Sequence, residues 1–120
     1  AVHAGRPGMA AGIVSETLSA MRELGAREIH AVIGPSVCPR CYEVPASLRD
    51  EVAAVEPVAA SVSVSGTPAL DVAGAVAEQL RREGAVIDHF SRTCSRESED
   101  LYSYRRSRRT GRFAGVVWLQ

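Results

Sequence analysis

Lysine is missing: all fourteen basic residues of the 120 are arginines, and fourteen acidic residues balance them. A GC-rich genome would produce that bias, so it carries no function by itself. A formal charge of zero gives no global field to draw the chain to nucleic acid or to an anionic membrane. Aromatics are also scarce, with three Tyr, two Phe and one Trp. They do not interleave with the arginines as a base-stacking platform requires, which argues further against a nucleic-acid partner. No apolar run approaches the roughly twenty residues of a membrane span. Three cysteines form an odd set without a signal-peptide pattern, against a disulfide framework and for a reducing cytoplasm. An initiator Met is lacking too, and nothing precedes His3 to complete the strand it would end, so the opening reads as a cut from a longer chain.

What is present suits one modest core, since 46% of the residues are hydrophobic. Apolar residues at spacings of three and four predict an amphipathic helix from Met9 to Leu24, ended by Gly25. Glu28 to Ile33 follows as a strand running into a Gly34-Pro35 loop. Pro45 opens a short helix from Ala46 to Val55, closed by Pro57. Val58 to Pro68 fits a short strand or an extended connector, and Leu70 to Glu83 a second amphipathic helix with Asp71 in its first turn. Ala85 to Phe90 repeats the helix, glycine, strand step, so the fold class is a layered α/β arrangement in one domain spanning residues 1–120. Ser91 to Asp100 reads as a loop and Leu101 to Tyr104 as a strand. After a Thr110-Gly111 turn, the apolar run Phe113 to Leu119 reads as a central closing strand.

Three groups of residues could carry chemistry. His3 stands before two glycines, Gly5 and Gly8, read as turning the backbone at positive φ and launching a helix whose free N–H groups face the same point. No His, Cys, Asp or Glu lies near it at ligand spacing, so any partners for a metal come from elsewhere. Cys38 and Cys41 form a Cys-x-x-Cys in a loop. Half a zinc site needs a second pair and only Cys94 remains, while a redox pair should open a helix, so the motif reads as structural or coincidental. Five arginines, Arg105, Arg106, Arg108, Arg109 and Arg112, offer planar forks of donors for phosphate. Were the segment a strand, Arg105 and Arg106 would face opposite ways and only one could enter a site, while Arg108 and Arg109 would sit in water.

Three segments in sequence order resemble the laccase-domain proteins, called polyphenol oxidases in one usage and purine nucleoside phosphorylases with adenosine deaminase activity in another. His3-Ala4-Gly5-Arg6-Pro7-Gly8 is similar to the family's His-Ala-Gly-Trp-Arg-Gly. Ile33-Gly34-Pro35 through Cys41-Tyr42-Glu43-Val44 is similar to Ile-Gly-Pro to Cys-Tyr-Glu-Val. Tyr102-Ser103-Tyr104-Arg105-Arg106, with Thr110-Gly111-Arg112 and the Val117-Trp118-Leu119 end, is similar to Phe-Ser-Tyr-Arg-Arg, Thr-Gly-Arg and Ile-Trp-Leu. The sequence departs from the pattern at three places. Arg6-Pro7 stands for Trp-Arg, which removes an aromatic and moves the guanidinium by one residue. Ala69-Leu70-Asp71 lacks the histidine of His-Leu-Asp, and Thr93-Cys94 inverts the family's Cys-Thr.

The resemblance implies an α/β/β/α fold of which this chain supplies about half, the C-terminal one. It implies phosphorolysis of adenosine, inosine, guanosine or methylthioadenosine, with zinc-assisted deamination of adenosine. His3 would be a catalytic residue and one metal ligand, the other ligands coming from an N-terminal half, and Arg6 and Arg105 would bind substrate phosphate. Cys41 would belong to the pocket wall or to structural support, and neither Cys38 nor Cys41 would match a family metal ligand. Two alternatives stand beside this one: a copper-dependent polyphenol oxidase, poorly served by only His3, His30 and His89, and a non-catalytic fragment.

Overall fold

The computed structural model describes residues 1–118. Among these residues four α-helices, α1 (Arg6–Ala10), α2 (Ile13–Glu23), α3 (Ala46–Val55) and α4 (Val72–Arg82), and four short strands, β1 (His30–Ile33), β2 (Ala60–Val62), β3 (Pro68–Leu70) and β4 (Val86–Phe90), follow in the order α1-α2-β1-α3-β2-β3-α4-β4. β1 and β4 pair in parallel, and β2 and β3 form an antiparallel hairpin. The α/β class read from the sequence is the one observed.

The core forms where α4 is covered. Val72, Ala75, Val76 and Leu80 turn one face of this helix inward against Met9, Val14, Leu18, Val52 and Leu70. Asp71 caps it, its carboxylate accepting from the Gly74 N–H at 2.8 Å, which satisfies one of the free donors of the first turn. A Cβ on residue 74 would run into that carboxylate, so glycine there serves the cap. Glu56 is buried to 1% exposure yet fully used: its carboxylate accepts from Arg82 at 3.0 Å and from Gln79 at 3.2 Å. Gln79 also donates to the Met9 carbonyl at 3.2 Å, which ties the amino-terminal segment to α4.

Three expectations are corrected. The helix expected over Met9 to Leu24 is two helices, because Gly12 takes φ 85° and starts α2 afresh. Leu70 ends β3 instead of opening α4, paired across the hairpin with Ala60. Neither Leu101 to Tyr104 nor Phe113 to Trp118 is a strand. The first is irregular, and the second lies exposed, with Val116, Val117 and Trp118 at 78%, 74% and 72%, since among the described residues no strand runs beside it. Leu119, the end of that expected strand, lies outside the described residues.

Candidate functional site

His3 precedes α1 and is exposed, its imidazole folded back over Gly5. A Cβ on residue 5 would lie 2.6 Å from His3 Nε2. The motif therefore needs glycine for space and not for backbone sign: Gly5 has φ −69°, and Gly8 is likewise absent from the positive-φ residues Gly12, Gly25, Gly66 and Gly84. Met9, wholly buried, anchors this turn three residues after Arg6, which is half-buried at the first position of α1.

Parallel strands β1 and β4 end side by side, and their pairing runs on through Ser91 N–H to the Ile33 carbonyl and a bridge between Ser36 and Cys94. A hollow of about 240 Å³ opens at these carboxyl ends, lined by Ser36, Cys38, Asp71, Phe90, Ser91 and Arg92 among others. This is where a parallel sheet places ligands, outside the strand ends and near a helix start.

A second, more open hollow of about 520 Å³ is lined by Glu43, Arg96, Tyr104, Arg105, Arg106 and Arg108. Arg105 lies 3.8 Å above the Tyr42 ring and donates Nη1–H to the Glu43 carbonyl at 2.8 Å. Arg106 donates to the carbonyls of Ser95, Arg96, Ser98 and Leu101, gathering that loop around one guanidinium. Because residues 104–106 form a turn and not a strand, both arginines reach the same hollow, contrary to the alternation expected of a strand. Arg108 and Arg109 are exposed, as expected. Hydrogen bonds from Ser63, Thr67 and Ser65, opposed by partial burial and helped by Arg96, hold the Glu43 carboxyl below its ordinary range, so it stays ionised. Four guanidiniums against one carboxylate leave this hollow with a positive field.

Cys94, which spacing left apart from the Cys38 and Cys41 pair, joins it in the fold. Sulfur atoms of Cys38, Cys41 and Cys94 and a carboxylate oxygen of Glu97 all lie within 4.8 Å of one another and could hold a metal ion. Among the described residues, His3 joins no group of three or more ligand-bearing side chains.

The description "Multi-copper polyphenol oxidoreductase laccase" belongs to a family model that matches residues 1–120. The chain belongs to this laccase-domain family. It is 56% identical over 99% of its length to purine nucleoside phosphorylase SCO2081 of Streptomyces coelicolor, and 53% identical over 99% to purine nucleoside phosphorylase ORF3 of Streptomyces griseus. It covers 50% and 49% of those two proteins, so the chain spans about half the length of the curated relatives it matches. The crystal structure of Neisseria meningitidis protein NMB0706 superposes with a TM-score of 0.73 at 27% identity, covering 88% of this chain and 45% of that one.

With the family in place, the geometry gives its motif-like segments physical jobs. In Cys41-Tyr42-Glu43-Val44, Tyr42 is the platform under Arg105, Glu43 is the anion of the arginine hollow, and Cys41 faces Glu97. Tyr104-Arg105-Arg106 supplies the stacked guanidinium and the loop clamp. The pairing of Cys94 with Cys38 and Cys41 was hidden from sequence because it depends on which strand lies beside β1.

Proposed function

We propose that this chain carries part of the site of a purine nucleoside phosphorylase. The observation that carries the reading is the 56% identity, over nearly the whole chain, to a relative bearing that name. In phosphorolysis a phosphate oxygen forms a bond to the anomeric carbon of the ribose while the bond to the purine nitrogen breaks, and the base leaves. Phosphate must be held and aimed, which guanidinium forks do well because they bind two oxygens at once and stay charged. The arginine hollow supplies that field, with Arg105 the proposed hydrogen-bond donor to phosphate. Arg6, half-buried at the start of α1, is the second proposed contact, although it lines neither hollow. The ionised Glu43 faces the same space and would favour positive charge developing on the ribose.

Zinc-assisted deamination of adenosine is the second proposed activity. A metal at His3 would supply an activated water for attack on the amino-bearing purine carbon. Among the described residues this chain offers one ligand there, so the remaining ligands would come from a segment present in its longer relatives.

Phosphate-dependent release of hypoxanthine from inosine tests the main reading, on this chain alone and on a protein extended to the length of its relatives. The extended protein should turn over, and Arg105→Ala should raise its KM for phosphate at least about tenfold. Base release that ignores phosphate sinks the phosphorylase reading. Turnover by the isolated chain refutes the need for the added segment. Oxygen uptake with stoichiometric copper and no base release would instead support the polyphenol oxidase.

A further inference from the structure

We propose that Cys38, Cys41, Cys94 and Glu97 form a structural zinc site, separate from His3 and from the phosphorylase reading. Two similar turns face each other. In one, the Cys41 N–H donates to the Cys38 carbonyl at 2.9 Å; in the other, the Glu97 N–H donates to the Cys94 carbonyl at 3.2 Å. Each turn presents ligands at its first and fourth residues, the spacing by which paired loops grip a tetrahedral ion. The turns are locked together by the Ser36 to Cys94 bridge and by the Ser95 N–H on the Ser36 carbonyl at 2.8 Å. Arg96 of one turn donates to the Cys41 carbonyl of the other at 2.9 Å.

The dimensions fit. Tetrahedral bonds of about 2.3 Å place sulfurs roughly 3.8 Å apart, so a group spread over no more than 4.8 Å needs to close by only about 1 Å. Cys41 Sγ is already 3.2 Å from Glu97 Oε1, and the Cys38 N–H points at Cys94 Sγ from 3.3 Å, the kind of donor that steadies a metal-bound thiolate. Cys41 and Cys94 are buried while Glu97 is exposed, which leaves a way in. Three sulfurs and one carboxylate select a soft-to-borderline ion, zinc, over magnesium or calcium, which take oxygen ligands. Three thiolates and a carboxylate around a divalent ion leave two formal negative charges, and Arg96 and Arg106 hold guanidiniums on the carbonyls of these same loops.

The two buried thiols differ in proton affinity. Burial, then the Glu97 carboxylate and the neighbouring thiols, pushes the Cys41 thiol up to about 12. Burial works against the Cys94 thiolate as well, but N–H donors from Cys38, Glu97 and Arg96 outweigh it and bring that thiol down. Bound there, zinc would fix the wall of the hollow to which Cys38 contributes.

Zinc content after purification without added metal, and competition against a chromophoric chelator, test the site on the 120-residue chain. One zinc per wild-type chain is expected. It should be lost in Cys94→Ser and kept in His3→Ala. Exposed Glu97→Gln guards against variants that fail to fold, and should weaken zinc about tenfold or more with the helical spectrum unchanged. Cobalt in place of zinc should give a sulfur-to-metal charge-transfer band that weakens in Cys38→Ser and is untouched by His3→Ala. Wild-type chain that holds no zinc above the Cys94→Ser level, cobalt bound without that band, or a Cys38–Cys94 disulfide forming in the presence of zinc would each overturn the proposal.

Discussion

β4 and the tail from Phe113 to Trp118 are both short and both carry valine and an aromatic, yet only one is a strand. Val86 to Phe90 lies along β1 and against α4, so one edge of its backbone is paired and Ile87 and Phe90 are half-buried, although Val86 stays exposed. The tail has neither among the described residues, and its side chains stand in solvent. Its extension agrees with a radius of gyration of 14.8 Å, against about 13.6 Å for a compact chain of this length. An apolar run states a demand for a partner; the rest of the fold decides whether that demand is met.

Truncating a core side chain beside a tail side chain should give the widest separation. Leu70→Ala empties a site at 0% exposure and should cost about 2–5 kcal/mol, from the lost burial and the cavity left behind. Val117→Ala, at 74% exposure, should stay within about 0.5 kcal/mol. Urea unfolding of the two variants checks this, and equal losses would mean that the tail is packed in solution.

Glu56→Gln probes the polar tie across the packed region. The variant keeps the shape but loses the charge that Arg82 faces, leaving a buried amide whose donors meet donors of Gln79 and Arg82. A loss of about 1–3 kcal/mol is expected in the same urea experiment. An unchanged midpoint would show that solvent replaces these bonds freely.

The parts legible in sequence are those fixed by neighbours along the chain. α3 occupies the expected Ala46 to Val55, and β1 and β4 fall inside their expected runs, because helical spacing and glycine stops act locally. Gly12 was legible as a residue but not as a break, since a tolerated helical glycine and a left-handed one look alike until α1 and α2 have surfaces to pack on. The cysteine cluster needed the parallel pairing of β1 with β4, which joins residues some 56 apart. The reason for Gly5 beside His3 was misread, because only the folded-back imidazole shows that space and not φ is the constraint.

That reading gives a smaller, local test. Gly5→Ala should push the imidazole off its seat while α1, whose backbone φ at this position suits alanine, stays formed. The His3 ring resonances should move in NMR spectra while those of buried Met9 hold still. Unmoved ring signals would mean that the imidazole does not rest over Gly5 in solution.

The smallest effect belongs to the exposed edge of the paired strands. His30 Nδ1 lies 2.9 Å from Asp88 Oδ1, and Glu28 approaches Nε2 at 3.3 Å. The hydrogen bond and charge of Asp88 first, then Glu28, raise the His30 pKa despite a slight opposing desolvation. A histidine held above its unfolded value binds a proton more tightly folded than unfolded. Its stabilisation is therefore complete below the unfolded pKa of about 6.5 and fades as pH climbs through the higher folded one. Asp88→Asn should lower the urea midpoint near pH ~5.5, where the imidazole is charged, and leave it close to wild type near pH ~9. Salt should narrow the acid-side gap, since both partners are half exposed and screened. The same gap at both pH values would show that Asp88 supports the β1 to β4 pairing through neutral hydrogen bonding alone, and the charge would then contribute nothing to the one sheet edge that the tail lacks.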